Sequence, residues 1–222
     1  SMFNAQIDLN PHQIEAALFA FQSPLSNGLI IADEVGLGKT IEAGLVLCQY
    51  WSELKRKILI IAPASLRKQW SMELQEKFFI DSKILEAKSF KDEKKVGNHN
   101  PFEQKNKVVI TSYQFATKHE DKILLAGYDL AIIDEAHKLR NVYKKDNKTG
   151  NSIKRSLSNT KKILLTATPL QNSLLELYGL TSIIDNQVFG DLNSFKQNYV
   201  SANLNQRDFS DLKQRLKPIC HR

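Results

Sequence analysis

Two short stretches of this 222-residue chain carry residue types and spacings suited to chemistry on phosphate. The first is "IIADEVGLGKTIEAG", residues 30–44. It follows a buried-strand pattern and precedes a helical one. That arrangement turns backbone N–H groups inward and aims a helix N-terminus at an anion. Gly36 and Gly38 let the backbone approach phosphate oxygens, Lys39 reaches the β and γ phosphates, and Thr40 offers its hydroxyl to Mg²⁺. The bend comprises Asp33, Glu34, Val35, Gly36, Leu37, Gly38, Lys39 and Thr40. Asp33 departs from the strict G-x-x-x-x-G-K-[ST] pattern, which asks for glycine there. Taken alone, the stretch also reads as an ordinary strand-loop-helix corner with a capping Thr40.

The second stretch is "LAIIDEAH", an apolar strand ending in two adjacent carboxylates, Asp134 and Glu135. Mg²⁺ is a hard cation and takes one or two carboxylates beside substrate phosphates. Asp134 suits the metal, directly or through water, and Glu135 suits orienting or deprotonating an attacking water. Each stretch ends a strand, and open α/β sheets bind ligands outside the carboxyl ends of their strands. The second alone is an acidic strand-to-loop corner; the pair points to a magnesium-nucleotide site.

These residues need a frame of strands and helices. Apolar, β-branched runs recur at 28–33, 57–63, 107–112, 129–135 and 162–168, with a weaker one at 83–87. They are continuous rather than alternating, as in strands covered on both faces. Helical patterns fill the gaps: "PHQIEAALFAFQ", "KTIEAGLVLCQYWSELK", "SLRKQWSMELQEKFF" and "SLLELYGLTSII". The alternation predicts an open α/β fold with right-handed crossovers. On the third helix, Trp70 falls at apolar spacing with Leu66 and Leu74 and reads as core. Residues 88–106 and 138–161 read as exposed loops, the second partly mobile. Residues 185–222 read as a tail of short helices.

With 42% hydrophobic residues, the chain can bury one sizeable core. No apolar run reaches membrane-spanning length, so no membrane association is expected. Cys48 and Cys220 show no metal-ligand spacing, which favours a reducing, cytoplasmic setting. The net charge of +7 is concentrated: residues 138–162 hold nine Lys or Arg against one acid, Asp146. Such a run is either a solvated loop or a nucleic-acid contact.

The motifs together resemble the first RecA-like lobe of a superfamily-two helicase-type ATPase of the SWI/SNF branch, and most of all the bacterial RapA-like (HepA) group. "LNPHQ" resembles the Q motif, "ADEVGLGKTIEAG" motif I, "APASLRKQW" motif Ia and "VVITSYQF" the following backbone-contacting motif. "IIDEAHKLRN" resembles motif II (a DEAH box), and "LLTATPLQNSLLELYGL" resembles motif III and its helix. In this branch Asp is common at the first-glycine position, so Asp33 fits it. The resemblance implies a RecA-like P-loop NTPase: a mostly parallel sheet with helices on both faces, in three αβα layers. It implies ATP and Mg²⁺ as cofactors and Gln13 as the adenine reader. His137, Thr166, Thr168 and Gln171 would couple the site to the nucleic-acid path. Ser65, Arg67, Lys68, Thr111, Ser112 and Tyr113 would contact the nucleic-acid backbone.

The resemblance further implies a DNA-dependent ATPase that translocates on duplex DNA, serving transcription or another nucleoprotein complex, as a monomer in the bacterial nucleoid. "LKPICHR" resembles the stretch before the inter-lobe linker, so residues 2–222 are expected to be one lobe, with the second lobe absent. That lobe supplies the arginine finger, worth roughly 10³–10⁵ in turnover, so the lone lobe is expected to be nearly inactive. Two rivals stand beside this reading. One is an RNA helicase-type ATPase, against which "TATPLQN" argues. The other is a hydrolysis-deficient protein-interaction module, against which intact Lys39, Asp134 and Glu135 argue.

Overall fold

A computed structural model describes residues 27–32, 38–167, 173–200 and 206–221. The helix expected near Gln13 lies outside them. Among the described residues seven strands form one sheet: β1 (Gly28–Ile31), β2 (Ile58–Ala62), β3 (Ser82–Leu85), β4 (Val108–Ser112), β5 (Leu130–Ile133), β6 (Lys161–Leu165) and β7 (Cys220–His221). Their order is β3-β4-β2-β5-β6-β1-β7, and every pairing is parallel. The expected α/β architecture holds.

The continuous apolar runs have a direct physical cause. Successive side chains of a strand point to opposite faces. Leu59, Ile61, Ala131, Ile133 and Leu164 enter one core layer; Ile58, Ile60, Leu130, Ile132 and Ile163 enter the other. Helices α1 (Lys39–Ser52) and α2 (Arg67–Phe78) cover the second face, through residues such as Leu45, Trp70, Leu74 and Phe78. Helices α3 (Ala87–Lys95), α4 (Tyr113–Lys118), α5 (Glu120–Ala126), α6 (Lys148–Ser156) and α7 (Leu174–Ile184) cover the first. Full burial of each such Leu or Ile side chain is worth about 1.5–3 kcal/mol, so a strand apolar on both sides gains from both layers.

Three expectations need correction. Residues 88–106 are not all loop, because α3 occupies Ala87–Lys95 and buries Phe90 against Phe102 and Phe115. The basic stretch is not an open loop either. Helix α6 buries Gly150, Ser152, Ile153 and Ser156, with Leu157 behind them. Asn147 caps it, accepting from the Gly150 amide at 2.9 Å. Its cations are partly engaged: Arg155 donates twice to Glu120, at 2.6 and 2.8 Å, and Lys154 to Asn186 at 2.6 Å.

The tail is not purely helical. Helices α8 (Leu192–Phe195) and α9 (Gln206–Leu216) flank a π-helical turn, Lys196–Val200, and β7 then pairs with β1. The Ile30 amide donates to Ile219 O at 2.6 Å, so the tail extends the sheet edge beside the strand that leads into the candidate phosphate loop. Helix α7 lies close to the segment after β5. A Cβ on Gly179 would stand 2.0 Å from Arg140 O, so only glycine allows this approach.

Candidate active site

Strands β1, β6 and β5 are neighbours, and their carboxyl ends deliver the candidate residues to one edge. After β1 the chain reaches Gly38, the N-cap of α1, at φ 93° and ψ 25°. This left-handed conformation favours glycine. The amides of Ile41 and Glu42 donate to Gly38 O at 2.8 and 3.1 Å, starting the helix at Lys39. Lys39 and Thr40 therefore occupy the first turn, at the positive end of the helix dipole.

Asp134 follows β5, and among the described residues four hydrogen bonds hold it. Its amide donates to Ile61 O at 2.8 Å. Its carbonyl accepts from the Tyr113 hydroxyl at 2.5 Å. Oδ1 accepts from the Glu135 amide at 2.8 Å, and Oδ2 from the Trp70 indole N–H at 2.8 Å. Burial raises the carboxyl pKa above its ordinary value, and the nearby Glu135 charge adds to that. The Trp70 and Glu135 N–H donors and the Lys39 charge pull it back. Burial, and then the charges of Asp134 and Glu135, push the Tyr113 phenol well up.

Glu135 takes left-handed backbone angles, φ 54° and ψ 46°. Its Oε2 lies 3.1 Å from His137 Nδ1. The residue opens a 3₁₀ turn, Ala136–Leu139, whose Ala136 and Leu139 are buried. His137, expected to act in coupling, thus stands beside the candidate water-orienting carboxylate. Thr166 lies at the end of β6, fully buried, with its amide donating to Ile31 O at 3.1 Å.

A cavity of about 320 Å³ is lined by Gly38, Lys39, Thr40, Asp134 and Glu135. The two stretches singled out in the sequence thus meet in space. Its other wall is α2, through Gln69, Trp70, Glu73 and Lys77, residues that sequence reasoning did not assign to the site. Their spacing of three and four places them on one helical face, which was the available signal. Glu73 accepts from Gln69 at 2.8 Å and lies 3.4 Å from Lys77. A larger cavity, about 620 Å³, lies at the amino ends of the strands beside Lys57, Phe102 and Tyr128. It is lined by neither Lys39 nor the acidic pair, so the smaller cavity has the stronger claim.

The nucleic-acid candidates divide. Ser65 and Lys68 are exposed before and on α2, and Arg67 is tied to Glu86 at 3.2 Å. Thr111, Ser112 and Tyr113 are buried, and their polar groups have structural partners. Thr111 donates to Leu85 O at 3.2 Å, Ser112 caps α4 by accepting from the Phe115 amide, and Tyr113 bonds Asp134. In this conformation these three side chains hold the sheet edge rather than face a polymer. Gln13, Asp33, Glu34, Val35, Gly36, Leu37, Thr168 and Gln171 lie outside the described residues.

Comparison with known proteins decides the family. Residues 12–222 match the SNF2-related domain. This chain belongs to that family. The SNF2-related domain here is 41% identical over 193 residues to the Bacillus subtilis "Uncharacterized ATP-dependent helicase YqhH", covering 85% of this chain and 31% of that protein. It is 29% identical over 225 residues to the Gallus gallus "DNA repair and recombination protein RAD54B", covering 93% of this chain and 23% of that protein. The chain therefore spans less than a third of the length of these relatives. Its fold superposes on the "Sulfolobus solfataricus SWI2/SNF2 ATPase core in complex with dsDNA" with a TM-score of 0.82 at 23% identity, covering 99% of this chain and 45% of that one. That likeness establishes the RecA-like fold of this SNF2-related domain.

Proposed function

We propose that this chain is the first RecA-like lobe of a DNA-dependent SWI/SNF-type ATPase, and that it holds ATP with Mg²⁺ at the Lys39–Asp134 cavity. The carrying observation is the convergence of Lys39, Thr40, Asp134 and Glu135 on one cavity from two distant segments. The donor set suits Mg²⁺, since Thr40 and Asp134 offer hard hydroxyl and carboxylate oxygens. Among the described residues, each Asp134 carboxylate oxygen accepts one N–H, which leaves it a further lone pair.

In this reading the bend from Asp33 to Thr40 cradles the phosphates, and Lys39 neutralises the β and γ oxygens. Thr40 and Asp134 would hold Mg²⁺, which when bound offsets charge building on the transferring phosphoryl group. Glu135 orients the attacking water and takes its proton as the β–γ bridging bond breaks. Gln13 reads adenine, and His137, Thr166, Thr168 and Gln171 relay the state of the site. A second lobe outside this chain completes the cleft, so this lobe alone turns over little ATP. The relatives' names include DNA repair and recombination proteins, which supports duplex DNA as the track. Contacts to the DNA backbone would make binding salt-sensitive and poor in sequence readout. In this reading the setting is cytoplasmic and nucleoid-associated.

The test is ATP turnover by the full-length protein with no polymer, with duplex DNA and with RNA. Stimulation by duplex DNA is expected, with this chain alone near background. Stimulation by RNA alone, or several turnovers per second by this chain alone, would contradict the reading.

A further inference from the structure

Trp70 is 2% exposed and packs in the layer of Leu74 and Phe78. Packing asks only for a large apolar ring. The indole adds an N–H that must find an acceptor when buried. Its acceptor is the carboxylate oxygen Oδ2 of Asp134, at 2.8 Å, not a backbone carbonyl. A buried N–H to an ionised carboxylate is stronger than a neutral pair.

The other three bonds of Asp134 do different work. Those at its amide and carbonyl fix the backbone. The bond at Oδ1 comes from the next residue's amide and leaves the carboxylate plane free to tilt about that one point. Trp70 supplies the second point. It also lines the same cavity as Lys39 and Thr40.

We propose that Trp70 is a positioning residue for the metal-bound nucleotide: its indole N–H locks the Asp134 carboxylate in the orientation that receives Mg²⁺. The proposal rests on the reading of the Lys39–Asp134 cavity as the nucleotide site. Partners that orient a metal-ligating carboxylate typically contribute 10–100-fold to metal affinity. Packing and positioning therefore separate experimentally. A residue that only packs affects folding alone, whereas a residue that aims the carboxylate affects the magnesium requirement.

The test is calorimetric titration of this chain with adenosine 5′-(β,γ-imido)triphosphate, across a series of Mg²⁺ concentrations and in EDTA. Trp70→Phe keeps an aromatic ring and deletes the donor. Leu74→Val, on the same helix, loosens the same layer and leaves the donor. The Mg²⁺ concentration for half-maximal tight binding is expected to rise about tenfold or more in Trp70→Phe. Metal-free binding should stay unchanged, and Leu74→Val should match the wild type.

If Trp70→Phe does not fold, Trp51→Phe leaves Trp70 as the one remaining tryptophan of the chain. Trp51 stacks under Arg56, outside the cavity. Addition of Mg²⁺ to the nucleotide-bound form of that variant should shift the Trp70 emission. An unchanged magnesium requirement in Trp70→Phe, an equal rise in Leu74→Val, or unchanged Trp70 emission would overturn the proposal and leave the site reading intact. A wild-type chain that shows no magnesium-dependent nucleotide binding would overturn both.

Discussion

His137 Nδ1 lies 3.1 Å from Glu135 Oε2, and Glu135 itself adopts a left-handed backbone conformation at φ 54°. A non-glycine residue there costs of order 1–3 kcal/mol and persists where its surroundings over-determine it. Buried Ala136 and Leu139 on one side and the four-bonded Asp134 on the other provide that constraint. The carboxylate assigned to the attacking water thus sits at a strained turn between two anchored segments.

Glu135→Asn tests whether the strain serves chemistry. Asparagine enters the left-handed region more readily than glutamate. The unfolding free energy in urea is expected to stay level or rise by up to ~1 kcal/mol. Nucleotide binding should persist, while hydrolysis by the full-length protein falls about 10²–10⁴-fold. A clear loss of stability would show that Glu135 is held by favourable contacts rather than against strain.

Lys162 gives a stability prediction with a defined pH window. It is 2% exposed, and its ammonium donates to Thr160 O at 2.6 Å. Burial lowers its pKa from 10.5 to about 8, with Lys154 adding to the shift and Asp185 opposing it. Between those two values the unfolded chain binds more protons than the folded one, so stability should rise with pH from about 8 to 10.5. Below that window the cost of the buried charge is present in full. Lys162→Met should therefore stabilise the fold by up to ~3 kcal/mol at neutral pH and flatten the rise. Chemical denaturation from pH 7 to 10.5 checks both; a flat wild-type profile would contradict the assignment.

The division among the nucleic-acid candidates is also measurable. Lys68 is exposed, whereas the Thr111 hydroxyl is buried and bonded to Leu85 O. In the full-length protein, Lys68→Ala should weaken duplex binding across sequences and reduce the slope of log K against log salt by about 1. Thr111→Val should leave that slope unchanged and cost about 1 kcal/mol of stability. The reverse pattern would mean that β4 rearranges to present Thr111 to DNA.

The five strong strands and the acidic pair were legible because a strand buried on both faces is apolar throughout and the acids end one such run. Helix α3 was not, because Phe90 is its one buried residue and "AKSFKDEKK" shows no apolar period. Helix α6 was hidden for a related reason. It buries small residues, Gly150, Ser152 and Ser156, around a single Ile153, so its inner face does not look hydrophobic. Strand β7 is two residues long, too short to show any pattern. At the site, apolar spacing correctly placed Trp70 in the core. Its bond to Asp134 spans 64 residues of sequence, and no local pattern encodes such a pairing.

The central claim is that Lys39 and Asp134 serve one magnesium-nucleotide site, and calorimetric titration of this chain with MgATP tests it most directly. The wild type is expected to bind one nucleotide. Lys39→Ala should weaken binding tenfold or more, in line with the loss of a charge-assisted contact worth about 1.5–3 kcal/mol. Asp134→Asn should abolish the gain that Mg²⁺ provides over EDTA. Equal MgATP affinity in the wild type and both variants would contradict the account.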